Sequence, residues 1–333
     1  MLNKVYYTTF FLLFSLQLLA QDSGSELIRD QAYPQWLKSG NYRTDQTSGI
    51  TFLKEDPGKK TFLLADDIGA LHRLVIIDDC ILKFYPIYFS KEVTEYFQDY
   101  PKLDFEEIVY DKYEEKFYLS VEGHSENYMD YVGIFEIEFS ESLDTLLNVS
   151  KIRFHPEELF YQYTAWNIGY EGLTVDSRYF YLGLEGFLEG KAFSDSTVLF
   201  IADKETKEII KSIYTSELGI GTITGLFSDE DLSIWLLDRN NLKIFHLVFN
   251  EELDVISSVS HSFEPIIPNY PDINYVGSYE SITIDDEGNI YIIDDPWREF
   301  FVPPDHILFK LDEQTIENFR KHIPIIDRFQ IKH

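Results

Sequence analysis

The chain has 333 residues, with 28 Lys and Arg against 58 Asp and Glu, a formal net charge of −30. Such a field repels nucleic acid and anionic membrane surfaces and attracts cations, so no nucleic-acid partner is expected. A lone cysteine, Cys80, excludes an intrachain disulfide framework and a Cys-based zinc centre, and the 44% hydrophobic content excludes wholesale disorder.

Residues 1–20, MLNKVYYTTFFLLFSLQLLA, set Lys4 ahead of an apolar run and read as a secretory signal peptide cleaved after Ala20. The alternative is an uncleaved anchor. The run is short for a span of roughly 20 residues, and Thr8, Thr9, Ser15 and Gln17 interrupt it. The expected location is secreted or periplasmic, with no membrane span after cleavage. Asn148-Val149-Ser150 matches the glycosylation pattern, but a chance tripeptide is the expected reading. Residues 21–47 form an N-terminal segment, in which Tyr33 to Leu37 is a candidate for ring closure. Residues 48–333 form the main domain.

That domain repeats one pattern five times: SGITFLKEDPGKKTFLLADD from Ser48, EEIVYDKYEEKFYLSVEG from Glu106, EGLTVDSRYFYLGLEG from Glu171, TGLFSDEDLSIWLLDRN from Thr224 and ESITIDDEGNIYIIDDP from Glu280. Each opens on a polar residue, alternates apolar positions, turns on Asp, Glu, Gly or Lys, and returns through a second apolar run ending on an acid. In Ile282-Thr283-Ile284 the period is two, the period of a strand. Asp285-Asp286-Glu287-Gly288-Asn289 supplies the turn and Tyr291-Ile292-Ile293 the return.

The starters are 58, 65, 53 and 56 residues apart. Two further strands fit in each gap, as in Thr197–Ile201 and Ile209–Ile213, or Leu242–Val248 and Val255–Val259. Four strands per repeat at this period predict an all-β β-propeller of five four-stranded blades, with six as the alternative. The 23 Tyr and 27 Phe suit the broad faces that blades present to each other. Short helices are expected at Lys91–Asp99 and Glu313–His322. No linker or composition break divides the ring, and the chain is expected to be a monomer.

First strands of blades line the central channel, so the starters Ser48, Glu106, Glu171, Thr224 and Glu280 are expected near one mouth. The second strands close on Asp66, Glu122, Glu185, Asp238 and Asp294, with Asp67 and Asp295 adjacent. The sequence leaves open whether the two sets share an end. Carboxylates converging on one axis either raise their pKa or bind a cation. Ca²⁺ takes six to eight oxygen ligands. Glu106, Glu171 and Glu280 are therefore candidate Ca²⁺ ligands. Glu122, Glu185, Asp238 and Asp294 are candidate ligand-binding residues, with bonding to turn N–H groups as their structural alternative.

The strings YEGLTVDSRYFYLGLEG, FEEIVYDKYEEKFYLSVEG and YESITIDDEGNIYIIDD resemble the SdiA-regulated and phytase-like (esterase-like) β-propeller families, over Ser48 to Pro296. The resemblance implies a secreted or periplasmic propeller with bound Ca²⁺, and by motif it implicates Glu106, Glu171 and Glu280. The repeats at Ser48 and Thr224 depart from it by lacking the glutamate. Phosphate chemistry would need positive partners. Arg239 and Arg298 follow second strands and could face a mouth, with surface salt bridges as the plainer role.

No complete catalytic motif stands out. Gly123-His124-Ser125-Glu126-Asn127 lacks the final glycine of a nucleophile elbow. The eight histidines form no His-Glu-x-x-His pair, and His72 and His246 read as packing residues within strands. Cys80 beside Asp78-Asp79 is a poor nucleophile, because neighbouring acids raise a thiol pKa. Trp166, Trp235 and Trp297 could stack on sugars at a mouth or pack between blades. The function expected is a Ca²⁺-containing module that binds a small molecule, glycan or protein at the channel mouth. The alternative is a Ca²⁺-dependent esterase, lactonase or phosphoesterase, with Glu122 or Asp294 as base.

Overall fold

The computed structural model describes residues 21–22, 26–189, 192–296 and 301–332. The leader reading, Trp297 and Arg298 lie outside these residues. No helix among them is long and apolar enough to cross a membrane.

A four-stranded antiparallel meander recurs along the chain. The first runs through Thr47–Asp56, Lys59–Asp66, Ala70–Ile77 and Ile81–Phe89. The second uses Asp104–Asp111, Lys116–Glu122, Gly133–Phe139 and Thr145–Lys151. The third uses Gly172–Val175, Tyr179–Gly183, Val198–Asp203 and Ile209–Tyr214. The fourth uses Gly225–Phe227, Ser233–Asp238, Lys243–Phe249 and Val255–Ser262. The last takes Tyr279–Ile284, Ile290–Asp294 and Ile325–Lys332 from the C-terminal part and Glu26–Arg29 from the N-terminal part.

The first strands touch each other in chain order, and Tyr279–Ile284 returns to Thr47–Asp56. This closed ring of inner strands, each the inner edge of a meander, is the architecture of an all-β propeller. Glu26–Arg29 closes it, paired antiparallel with Ile325–Lys332, and Arg29 Nε fixes the closure 2.8 Å from Asp327 Oδ1. Gln35–Trp36, within the segment expected to close the ring, adds a short pairing to Ile325 and Ile326. The two expected helices form at Lys91–Tyr96 and Glu313–Arg320.

Burial explains why alternation fades inward. Gly172–Val175 and Tyr279–Ile284 are buried throughout, because both faces of an inner strand meet neighbouring sheets. In the outer strand Ile81–Phe89 only Leu82 and Ile87 are buried. Aromatic rings fill the wedges between sheets. Tyr118 meets Phe180 at 4.9 Å, and Phe62 meets Tyr291 at 4.9 Å, both edge to face. Near the axis the backbones themselves touch: a Cβ on Gly225 would lie 2.8 Å from Ser281 Cα.

Hairpin-turn acids are structural. Asp176 accepts from the N–H groups of Arg178 and Tyr179, each at 2.7 Å, and Asp285 accepts from Glu287 and Asn289 at 3.0 and 2.9 Å. Part of the chain's negative charge therefore serves to close turns.

Candidate functional site at one channel mouth

The starters and the closing acids share one end of the channel. Antiparallel pairing requires this, since the start of a first strand faces the end of the second: Asp104 pairs with Glu122, and Tyr279 with Asp294. A cavity of about 470 Å³ opens there. Eight carboxylates line it, from Asp67, Asp104, Glu106, Glu122, Glu171, Glu185, Glu280 and Asp295, together with Lys102 and Arg239.

Register shifts aim several of these groups. In the second meander two residues, Glu106 and Glu107, oppose only Ser120. Ser48 and Glu280 are likewise extra residues, between Thr47 and Gly49 and between Tyr279 and Ser281. A bulge of this kind turns a side chain away from strict alternation. Ser48, Glu106 and Glu280 consequently reach the mouth. Glu107 points deeper, into the axis, where its carboxylate accepts from Ser281 Oγ and from Ile108 N.

All three candidate metal ligands, Glu106, Glu171 and Glu280, line the cavity, and so do Glu122 and Glu185. Asp238 and Asp294 stand outside the lining, because the local backbone claims their oxygens. Asp238 accepts from Gly221 N at 2.7 Å and from Asn241 N at 3.1 Å, which folds the turn that carries Arg239. Asp294 accepts from Ser278 N and Tyr275 Oη. Asp66 does the same with Asp45 N and Thr47 Oγ1, and Thr224 Oγ1 donates to Tyr279 O.

Arg239 is a central component of the mouth rather than a surface residue. Its guanidinium is ion-paired to Glu185 and Glu280, and it lies 3.8 Å from Glu171 Oε2. Glu280 also accepts from Ser278 Oγ. A resident cation thus already serves one side of the candidate triad. Overlapping with the groups around Arg239, one atom each from Glu122, Glu171 and Glu185 lie within 4.8 Å of one another, and one atom each from Asp104, Glu122 and His124 form a second such group. Lys102 holds Asp104 Oδ1 at 2.5 Å, and His124 Nε2 contacts Asp104 Oδ2.

The electrostatics follow from this crowding. Burial, reinforced by neighbouring carboxylates, pushes Glu106, Glu122 and Glu171 well above the ordinary carboxylate range. Burial also raises Asp67, to about 7, and raises Asp295 strongly. Among the described residues, Glu122 Oε1, Glu171 Oε2, Asp67 Oδ1 and Asp295 Oδ1 are buried and find no hydrogen-bond partner. Buried oxygens without a hydrogen-bond partner are costly, and each calls for a proton, an ordered water or a cation.

Sequence reasoning missed Lys102, Asp104, His124 and Glu107. Spacing offered one signal, since His124 follows the closing acid Glu122 by two residues. Trp166 is 62% exposed with its ring edge-on to His124 at 5.8 Å, so it stands beside the mouth. Trp235 instead stacks on His246 at 4.3 Å and is buried. His72 and His246 are hydrogen-bonded packing residues, to Asp66 and Ser233 respectively.

No protein-family model matches the chain, and no curated relative matches it. Among solved structures, it is similar to the PQQ-bound form of aldose sugar dehydrogenase from Streptomyces coelicolor, at 10% identity and a TM-score of 0.49, over 94% of this chain and 100% of that one. It is similar to the GH43_1 enzyme from Xanthomonas citri complexed with xylose, at 9% identity and 0.49, over 89% of each chain. The soluble aldose sugar dehydrogenase from Escherichia coli, in its apo-form, matches at 8% identity and 0.41, over 90% of this chain and 99% of that one. Likenesses at this level transfer neither activity nor cofactor to the present chain.

Proposed function

We propose that the chain is a five-bladed propeller that holds Ca²⁺ at the mouth of its central channel and uses the surrounding cavity to bind a ligand. The observation that carries this reading is that Glu122 Oε1 and Glu171 Oε2 are buried with no hydrogen-bond partner among the described residues, Glu171 Oε2 having only the Arg239 guanidinium 3.8 Å away, and that eight carboxylates surround one cavity. Glu122, Glu171 and Glu185 supply the nearest set of oxygens. Glu106 stands next to them, and it feels both Glu122 and Glu171. Ser48, Asn167 and solvent complete the six to eight oxygens that Ca²⁺ takes. Glu280 has both its oxygens engaged, by Arg239 and by Ser278, and orients the guanidinium, whereas Glu185 gives Arg239 only its Oε1.

The same cavity disfavours anionic ligands, because carboxylates outnumber its permanent cations. A neutral or cationic ligand suits it, with Trp166 as an apolar platform at the rim. In a secreted or periplasmic setting the site would fill from the surrounding Ca²⁺. Calorimetric titration of the chelator-treated protein tests this: saturable binding near one equivalent supports it, and Glu171→Gln should weaken it. Absence of saturable Ca²⁺ binding by the wild type overturns it.

A second reading, a Ca²⁺-dependent hydrolase, has one observation in its favour. Burial and charge crowding raise the pKa of Glu106, which stands outside the nearest oxygen set, and so suit it as a proton donor facing the cavity. The cation, when bound, would polarise a substrate oxygen. Turnover of chromogenic esters, lactones or phosphoesters only when Ca²⁺ is supplied would select this reading over the binding module.

A further inference from the structure

We propose that Asp104, Glu122 and His124 form a second cation position, suited to a divalent transition metal such as Mn²⁺ or Zn²⁺. It stands beside the oxygen-only position, shares Glu122 with it, and does not depend on it. The antiparallel register sets Asp104 directly opposite Glu122, two like charges across one strand pair. That arrangement destabilises a hairpin unless something positive joins them. His124, two residues beyond Glu122, brings an imidazole nitrogen into the same 4.8 Å group.

A plain His124–Asp104 ion pair does not explain the group. It leaves Glu122 Oε1 without a partner, although Glu122 is only 2% exposed and lines the cavity. Lys102 occupies Asp104 Oδ1, so Oδ2 remains for the shared position. Two carboxylate oxygens and one imidazole nitrogen form a mixed donor set. Imidazole suits Zn²⁺ and its transition-metal neighbours and the two carboxylates suit Mn²⁺, whereas Ca²⁺ takes oxygen alone. Three protein ligands leave the remaining coordination positions turned to the cavity, as in sites that meet a ligand or substrate.

The test is a Mn²⁺ titration of the chelator-treated full chain, followed by the loss of the free-ion electron paramagnetic resonance signal, with and without saturating Ca²⁺. Mn²⁺ should bind near one equivalent even when Ca²⁺ is saturating. His124→Ala should weaken Mn²⁺ on the order of tenfold or more while leaving Ca²⁺ affinity and the melting temperature unchanged. Glu122→Gln should weaken both ions. Mn²⁺ affinity that is unmoved by His124→Ala overturns the proposal, and so does full displacement of Mn²⁺ by Ca²⁺. A chain that binds Ca²⁺ but not Mn²⁺ removes this site alone. One that binds Mn²⁺ but not Ca²⁺ keeps this site and removes the calcium reading.

Discussion

Ser281 places its hydroxyl 2.8 Å from both carboxylate oxygens of Glu107, joining the inner strands of two meanders across the channel axis. Ile50 N donates to the same Ser281 hydroxyl at 3.0 Å, and Ile108 N donates to Glu107 at 3.1 Å. Through Ser281, one buried carboxylate therefore ties together the inner strands of three meanders. Below it, at the far end of the channel, lies a mixed cavity of about 260 Å³ bordered by Phe52, Val175, Phe227 and Ile284 and also by Lys112, Asp229, Asp285 and Asp286. The two mouths are separated by this knot.

Glu107→Ala should destabilise the fold by about 2–4 kcal/mol, because it strands several buried donors at once. Glu107→Gln should cost less, since an amide oxygen still accepts. Urea unfolding checks this through a lowered midpoint at an unchanged slope. A Glu107→Ala midpoint equal to wild type would show that the knot is incidental.

Gly225→Ala should also destabilise the ring, by about 1–3 kcal/mol through overpacking. The new Cβ would meet backbone, Ser281 Cα at 2.8 Å and Ile282 N at 2.9 Å, and backbone cannot rotate aside. The control is Gly40→Ala: that turn glycine has open space around it and a φ of +59°, so any penalty there reflects conformation alone. Melting temperatures of the two variants separate crowding from strain.

Much of the propeller was legible because its repeat unit is local. Ile282-Thr283-Ile284, its Asp285 turn and Tyr291-Ile292-Ile293 form an antiparallel hairpin, with Gly288 at a φ of +79°. The site was legible only in part. Glu106, Glu171 and Glu280 could be placed near the mouth because they open repeats. Glu107 could not, since alternation assigns neighbouring residues to opposite faces and only the bulge breaks that rule. Asp238 and Asp294 looked like Glu122 and Glu185 in sequence. Their shorter side chains end within reach of the local backbone, and turn N–H groups take them. Arg239 was visible as a basic residue after a closing acid, but its burial among three glutamates is a property of the ring.

Arg239→Gln should cost about 3–5 kcal/mol near neutral pH, because it leaves Glu171, Glu185 and Glu280 crowded without their guanidinium. The penalty should shrink in acid, where Glu171 and Glu185, whose pKa values burial raises, take protons and no longer need a counter-charge. Arg239→Lys should rescue only partly, since one ammonium cannot span the separate carboxylates. Melting curves across pH test the trend. A penalty independent of pH would mean that Arg239 acts by packing.

Asp67 gives the metal-free protein a specific pH signature. Burial raises its carboxyl from an ordinary 3.8 to about 7 in the folded chain. The folded state therefore binds this proton more tightly than the unfolded state. Its contribution is fully present below 3.8 and is lost as pH rises towards about 7. Asp67→Asn should flatten the fall in stability over that window. An unchanged pH profile would show that Asp67 is solvated in solution.

The central claim is that the carboxylate-lined mouth is a cation site, and the most direct measurement is anomalous X-ray diffraction from crystals soaked in Ca²⁺. The account predicts an anomalous peak in the cavity, ligated by Glu122, Glu171 and Glu185, with Arg239 still held by Glu280. A mouth filled only by ordered water at saturating Ca²⁺, or a peak confined to surface carboxylates, would contradict it.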